Sequence, residues 1–91
     1  MSAAVEIFTR PGCGYCTAAK ALLARKNVSF TEYDVSIDSS WRAEMISRSS
    51  GGRTYPQIFI DQVHVGGCDD LYELDDAGKL DDLLAGQKAP S

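Results

Sequence analysis

Val5-Glu6-Ile7-Phe8-Thr9-Arg10-Pro11-Gly12-Cys13-Gly14-Tyr15-Cys16 is a short apolar run that stops at a turn and then delivers two thiols in a C-x-x-C pair. Val5, Ile7 and Phe8 predict a buried first strand over Val5 to Phe8, and Arg10-Pro11-Gly12 ends it. From Tyr15 to Lys26 the chain is rich in Ala, Leu, Lys and Arg. Ala19, Leu22, Leu23 and Lys26 fall at helical spacing, with Asn27 as the C-cap. Cys13 therefore stands at the open N-terminal end of a helix, and Cys16 lies about one turn inside it. The two positions are not equivalent. Unpaired backbone N–H groups and the helix dipole favour a thiolate at Cys13, which makes it the better nucleophile. Cys16, deeper in the helix, is expected to stay protonated until a mixed disulfide on Cys13 offers it a target, which is a resolving role.

Outward from this stretch, Val28 to Val35 alternates apolar and polar residues and predicts a second strand, completing a parallel β-α-β unit. Ser39 or Ser40 caps a second helix through about Ser49, with Trp41, Met45 and Ile46 on one face, and Gly51-Gly52 ends it. Pro56 to Ile60 and Val63 to Val65 read as strands of a hairpin turning at Asp61-Gln62. After Gly66-Gly67, Asp69 and Asp70 open a third helix through about Asp76. Gly78 stops it, and Leu80, Leu83 and Leu84 suggest a short last helix. The expected order is β-α-β-α-β-β-α with a short final helix, an α/β fold with Phe8, Phe30, Trp41 and Phe59 in its core.

With 91 residues the chain holds one core, expected over residues 1–86, with Gln87 to Ser91 as a short flexible tail. Its 44% apolar and 24% charged residues are those of a folded domain. A net charge of −4 argues against generic nucleic-acid binding. Seven of the nine Lys and Arg residues precede Thr54, whereas eight of the thirteen acidic residues follow Ile60. Neither a membrane-spanning run nor a secretion signal is visible, so a cytoplasmic location is expected. Three cysteines in such a chain speak for reactivity, metal binding or packing, not for a disulfide framework. A C-x-x-C in a β-α-β setting is the thioredoxin-like redox signal. Two inert core cysteines are one rival. A zinc site of Cys13, Cys16, His64 and Cys68 is another, disfavoured because His64 falls mid-strand as an exposed residue.

Cys13-Gly14-Tyr15-Cys16, Thr54-Tyr55-Pro56-Gln57-Ile58-Phe59-Ile60-Asp61 and Gly66-Gly67-Cys68-Asp69-Asp70-Leu71 together resemble bacterial dithiol glutaredoxins of the glutaredoxin 3 type, in the same order and over residues 4–85. The resemblance implies a thioredoxin-like, four-stranded mixed sheet flanked by helices, with a glutathione groove beside Cys13. It implies a cis bond before Pro56. Because Pro56 cannot donate, the Tyr55 peptide groups are left to pair with the cysteinyl part of glutathione. Arg10 and Arg53 match family basic residues suited to the glycyl carboxylate, and Thr54 leads into the Tyr55 segment. Gly66-Gly67 permits close approach, while the N–H groups of Cys68 and Asp69 suit the γ-glutamyl carboxylate. The Asp69 carboxylate takes the ammonium, with Asp70 as second choice and helix cap. Tyr15 lines the groove, and Cys68 matches a third cysteine better suited to packing than to redox chemistry.

The implied activity is reduction of glutathione mixed disulfides and protein disulfides by a monomer, with glutathione as reductant. Two residues depart from the family pattern. Gly14 stands where Pro is common, which loosens the active-site turn, and Tyr55 stands where Val is common. Some plant glutaredoxins with a Gly-Tyr active site hold a [2Fe-2S] cluster between two subunits, ligated by the first cysteine and glutathione. That makes Cys13 an alternative cluster ligand in a dimer.

Overall fold

The computed structural model describes residues 3–85, so the expected tail and the domain boundary at Gly86 lie outside the described residues. The elements are β1 (Val5–Thr9), α1 (Gly14–Arg25), β2 (Phe30–Asp34), α2 (Ser40–Arg48), β3 (Gln57–Ile60), β4 (Val63–Gly66), α3 (Cys68–Asp76) and α4 (Leu80–Leu84). The strands form one sheet in the order β2-β1-β3-β4. β1 pairs with β2 in parallel and with β3 antiparallel, and β3 with β4 antiparallel, so the sheet is mixed. No helix among the described residues is long and apolar enough to cross a membrane.

Several boundaries differ from the sequence expectation, each for a local reason. β2 starts at Phe30 instead of Val28, because Asn27 takes a left-handed conformation (φ 58°) at the end of α1 and the chain needs two residues to turn back. β3 starts at Gln57, since Pro56 has no N–H to give the ladder. The start of α2 is not capped by a serine side chain: the Asp38 carboxylate accepts the Ser40 N–H (3.0 Å) and hydroxyl (2.7 Å). The hairpin turn is as expected. Asp61 and Gln62 both adopt positive φ (49° and 67°), as a mirror-image two-residue turn requires.

Adjacent residues on the central strands point to opposite faces, and both faces are covered. Val5, Ile7, Ile58 and Ile60 pack with Leu22, Leu23, Leu71, Leu80 and Leu84, and half-buried Phe30 joins them. Phe8, Phe59 and Met45 form the opposite cluster, joined by Tyr33 and Trp41.

One ion pair fastens α2 to this second face. Arg48 lies over the Phe59 ring at 4.3 Å and donates to both Glu6 oxygens (2.8 and 3.1 Å), while the Tyr33 hydroxyl donates to Glu6 at 3.0 Å. The Arg48 hydrogen bonds hold the Glu6 carboxyl below its usual range. The side chains are 25% and 19% exposed, so solvent screens the pair only in part. A group with a depressed folded-state pKa stabilises the fold above its unfolded value and loses that contribution as pH falls through the folded one. Arg48→Met is therefore expected to cost roughly 1–2 kcal/mol near neutral pH. The difference from the unsubstituted protein shrinks as Glu6 protonates, and thermal denaturation across the carboxylate range reads it directly.

Candidate active site

Cys13 is the N-cap of α1, with extended backbone (φ −99°, ψ 104°). Its sulfur accepts the Cys16 backbone N–H at 3.1 Å, because a first-turn N–H has no acceptor within the helix. The Cys13 thiol also faces the Tyr55 carbonyl at 3.7 Å, which ties the helix start to the loop before β3. The Tyr55–Pro56 peptide is cis, as the resemblance implies.

The three thiols differ in access. Cys13 is half-buried, whereas Cys16 and Cys68 are buried. Burial first, and then the hydrogen bond to Cys13, push the Cys16 thiol up to about 12. Burial also raises Cys68, helped by the nearby Asp69 and Cys13 charges. Cys13 is thus the thiol that a reagent in solution can reach.

Beside it runs a groove of about 410 Å³, open to solvent. Seven of the residues singled out from sequence line it: Tyr15, Thr54, Tyr55, Pro56, Gly67, Cys68 and Asp69. Arg10 and Arg53 do not line the groove. Both are exposed, and the Arg10 guanidinium lies over the Tyr55 ring at 5.2 Å. Two acids that the sequence left as alternatives separate here. Asp70 accepts the Gly67 N–H at 2.9 Å and so acts as the helix cap, while Asp69 is exposed at the groove. Asp69 and Cys68 begin α3, where N–H groups have no intrahelical acceptor and suit an anion.

Three lining residues were not assigned to the groove from sequence: Gly52, read only as a helix stop, Gln57 and His64. Gln57 is 5% exposed, and its amide nitrogen donates to the Thr54 carbonyl (3.0 Å) and hydroxyl (3.1 Å). Its oxygen meets His64 Nε2 at 2.6 Å. The signal was present in the hairpin register: Gln57 and Phe59 share a face, and His64 pairs with Phe59. His64 is accordingly engaged with Gln57. Among the described residues no three His, Cys, Asp or Glu side chains gather as a metal-holding set, so the zinc quartet is not assembled.

A mixed sheet with a C-x-x-C at the start of its first helix, one accessible thiol and a groove beside it defines a thiol-disulfide oxidoreductase of thioredoxin-like fold. The glutaredoxin family profile matches residues 5–65, and the chain belongs to the glutaredoxin family. Its sequence is 58% identical to glutaredoxin 3 of Escherichia coli over 80 residues, which is 88% of this chain and 95% of that protein, placing it with the bacterial glutaredoxin 3 type. The solution structure of glutaredoxin from Brucella melitensis superposes with a TM-score of 0.82 at 60% identity, over 98% of this chain and 96% of that one. The crystal structure of a buckwheat glutaredoxin–glutathione complex gives a TM-score of 0.82 at 28% identity, over 96% and 83%. Glutathione-dependent thiol redox chemistry is the function of this chain.

Proposed function

We propose that this protein reduces glutathione mixed disulfides and protein disulfides as a cytoplasmic monomer, with Cys13 as nucleophile and Cys16 as resolving thiol. The observation that carries this reading is the Cys13 sulfur held by the Cys16 N–H and facing the carbonyl of Tyr55, a residue that lines the groove. In the first step the Cys13 thiolate attacks the glutathione sulfur of a mixed disulfide. The old S–S bond breaks, the substrate thiolate leaves and takes up a proton, and Cys13 carries glutathione. A second glutathione thiolate then attacks that glutathione sulfur, releasing oxidised glutathione and the Cys13 thiolate. On a protein disulfide the mixed disulfide forms with the substrate, and Cys16 attacks Cys13 to give an internal disulfide that two glutathiones reduce.

The groove supplies recognition. The main chain of Tyr55 pairs with the cysteinyl portion, the N–H groups of Cys68 and Asp69 receive the γ-glutamyl carboxylate, and the Asp69 carboxylate takes the ammonium. Arg10 and Arg53, with Thr54 between Arg53 and Tyr55, supply positive charge for the glycyl carboxylate from the rim. Tyr15, 66% exposed, offers an aromatic face to the bound tripeptide or to a protein substrate.

A second reading rests on the same thiol. With Cys16 and Cys68 buried, each chain has one accessible thiol to offer. A [2Fe-2S] cluster, which would supply one-electron redox chemistry or cluster transfer, fits only between two copies, held by Cys13 of each and by two glutathione thiolates. One experiment addresses both readings: anaerobic purification with glutathione, followed by a spectrum and a deglutathionylation assay on the same sample. Turnover by a colourless monomer is the expected result. A brown dimer whose colour disappears in Cys13→Ser supports the second reading, and absence of glutathione-dependent turnover overturns the first.

A further inference from the structure

His64 is the single histidine of the chain. Because the Gln57 amide nitrogen is committed to Thr54 O and Oγ1, it is the amide oxygen that faces the imidazole, and Nε2 must carry the hydrogen between them. Nδ1 is then the atom that gains or loses the second proton. The ring lies over Phe59 with centroids 5.1 Å apart, a face that attracts an imidazolium. His64 therefore sits between the two rims of the groove. Through Gln57 it is tied to the Thr54 rim, and it shares the groove wall with Gly66, Asp69 and Asp70 on the other side.

The groups around it come from α3 with the turn after it, and from β3 with Arg48 of α2 behind it. Asp69, Asp70 and Glu73 belong to α3, with Asp70 bonded to the Gly67 N–H, and Lys79 follows α3. From β3 it meets the uncharged Gln57 and Phe59, and the Arg48 guanidinium lies 4.3 Å from the Phe59 ring centre. Within the groove lining itself the ionisable charges are acidic, so a proton on His64 is the positive charge that the lining can gain.

We propose that His64 is a proton-dependent recognition residue of this groove. As imidazolium it adds positive charge between the rims for a ligand bearing carboxylates, and through Gln57 it keeps the Thr54 rim in binding geometry. This rests on the glutathione reading above. Linkage makes the effect reciprocal: if protonation tightens binding, binding must favour protonation by the same factor.

The test uses the full chain carrying Cys13→Ser, so that no accessible thiol titrates, and S-methylglutathione, which cannot form a disulfide. The His64 ring resonance is followed by NMR from about pH 5.5 to pH 8.5, free and saturated, and Kd is measured across the same range. Binding is expected to be about threefold tighter near pH 6 than near pH 8, as suits an exposed charge. The titration midpoint of the imidazole moves up on saturation by the matching amount. His64→Phe, which keeps the ring stack, should bind more weakly at pH 6 and lose the pH dependence. An unchanged midpoint in the presence of bound ligand overturns the role of His64 and leaves the glutathione reading standing. No binding at any pH overturns both.

Discussion

Cys13→Ser is expected to abolish reduction of both glutathionylated peptides and protein disulfides, by roughly three orders of magnitude or more, while Cys16→Ser loses only the second activity. A serine hydroxyl at position 13 cannot form the mixed disulfide through which both reactions pass. At position 16 the argument turns on which atom does the work. The group that holds the Cys13 sulfur is the backbone N–H of residue 16, at 3.1 Å, and serine keeps it. Nucleophile activation is thus expected to survive. What disappears is the thiol, which burial has pushed up to about 12 and which cannot compete for external disulfides near neutral pH. In the proposed cycle it acts only when a mixed disulfide forms on Cys13 beside it. Steady-state assays on one glutathionylated peptide and one protein disulfide measure the split. Loss of deglutathionylation in Cys16→Ser would refute the resolving assignment.

The sequence made the architecture legible because its periodicities change where the elements change. Helical spacing from Ala19 to Lys26, alternation from Val28, and an apolar run after Pro56 gave every element in order. The misplaced ends share a cause: backbone hydrogen bonding decides boundaries, and side-chain pattern reports it only indirectly. Ser39 and Ser40 looked like caps by residue type, yet Asp38 provides the bond to Ser40 N. A carboxylate two residues before an N–H closes the same kind of turn as a serine cap, and nothing in composition ranks the two.

The site was legible where it depends on local chain and opaque where it depends on register. The position of Cys13 at a helix start follows from the strand and helix flanking it. That Gln57 reaches back to Thr54 and across to His64 depends on a cross-strand pairing, with a register irregularity between Ile58 and Phe59. A polar residue directly after Pro56 and a histidine in an edge strand each suggest exposed surface; only the closed hairpin turns them into a bonded pair. Arg10 illustrates the opposite limit. Its charge suits an anion, but the structure stacks its guanidinium on Tyr55, so its approach to a ligand is coupled to that ring.

Gly66→Ala is expected to be the most damaging single methyl group in the groove, costing on the order of 3 kcal/mol from a strained backbone of about 1–3 kcal/mol and a lost helix cap of about 1 kcal/mol. Gly66 has φ +121°, a region closed to ordinary side chains, and an added Cβ would run into the Asp70 carboxylate. That carboxylate is the acceptor for the Gly67 N–H. The alanine therefore strains the turn and displaces the cap together, and the same turn carries the Cys68 and Asp69 N–H groups into the groove. For a domain of this size the midpoint of thermal unfolding should fall by roughly 10–20 °C. Asp70→Ala alone removes only the cap and should cost about 1 kcal/mol. In the double variant the carboxylate that the new Cβ would meet is gone and only the Cβ of residue 70, at 3.1 Å, remains close, so the combined loss should be clearly smaller than the sum of the two. Additivity within about 0.5 kcal/mol would mean that the two residues act independently and that backbone strain at Gly66 is the whole effect. A shortfall locates the damage in the contact between them, and then S-methylglutathione affinity should recover part of its loss in the double variant as the turn relaxes.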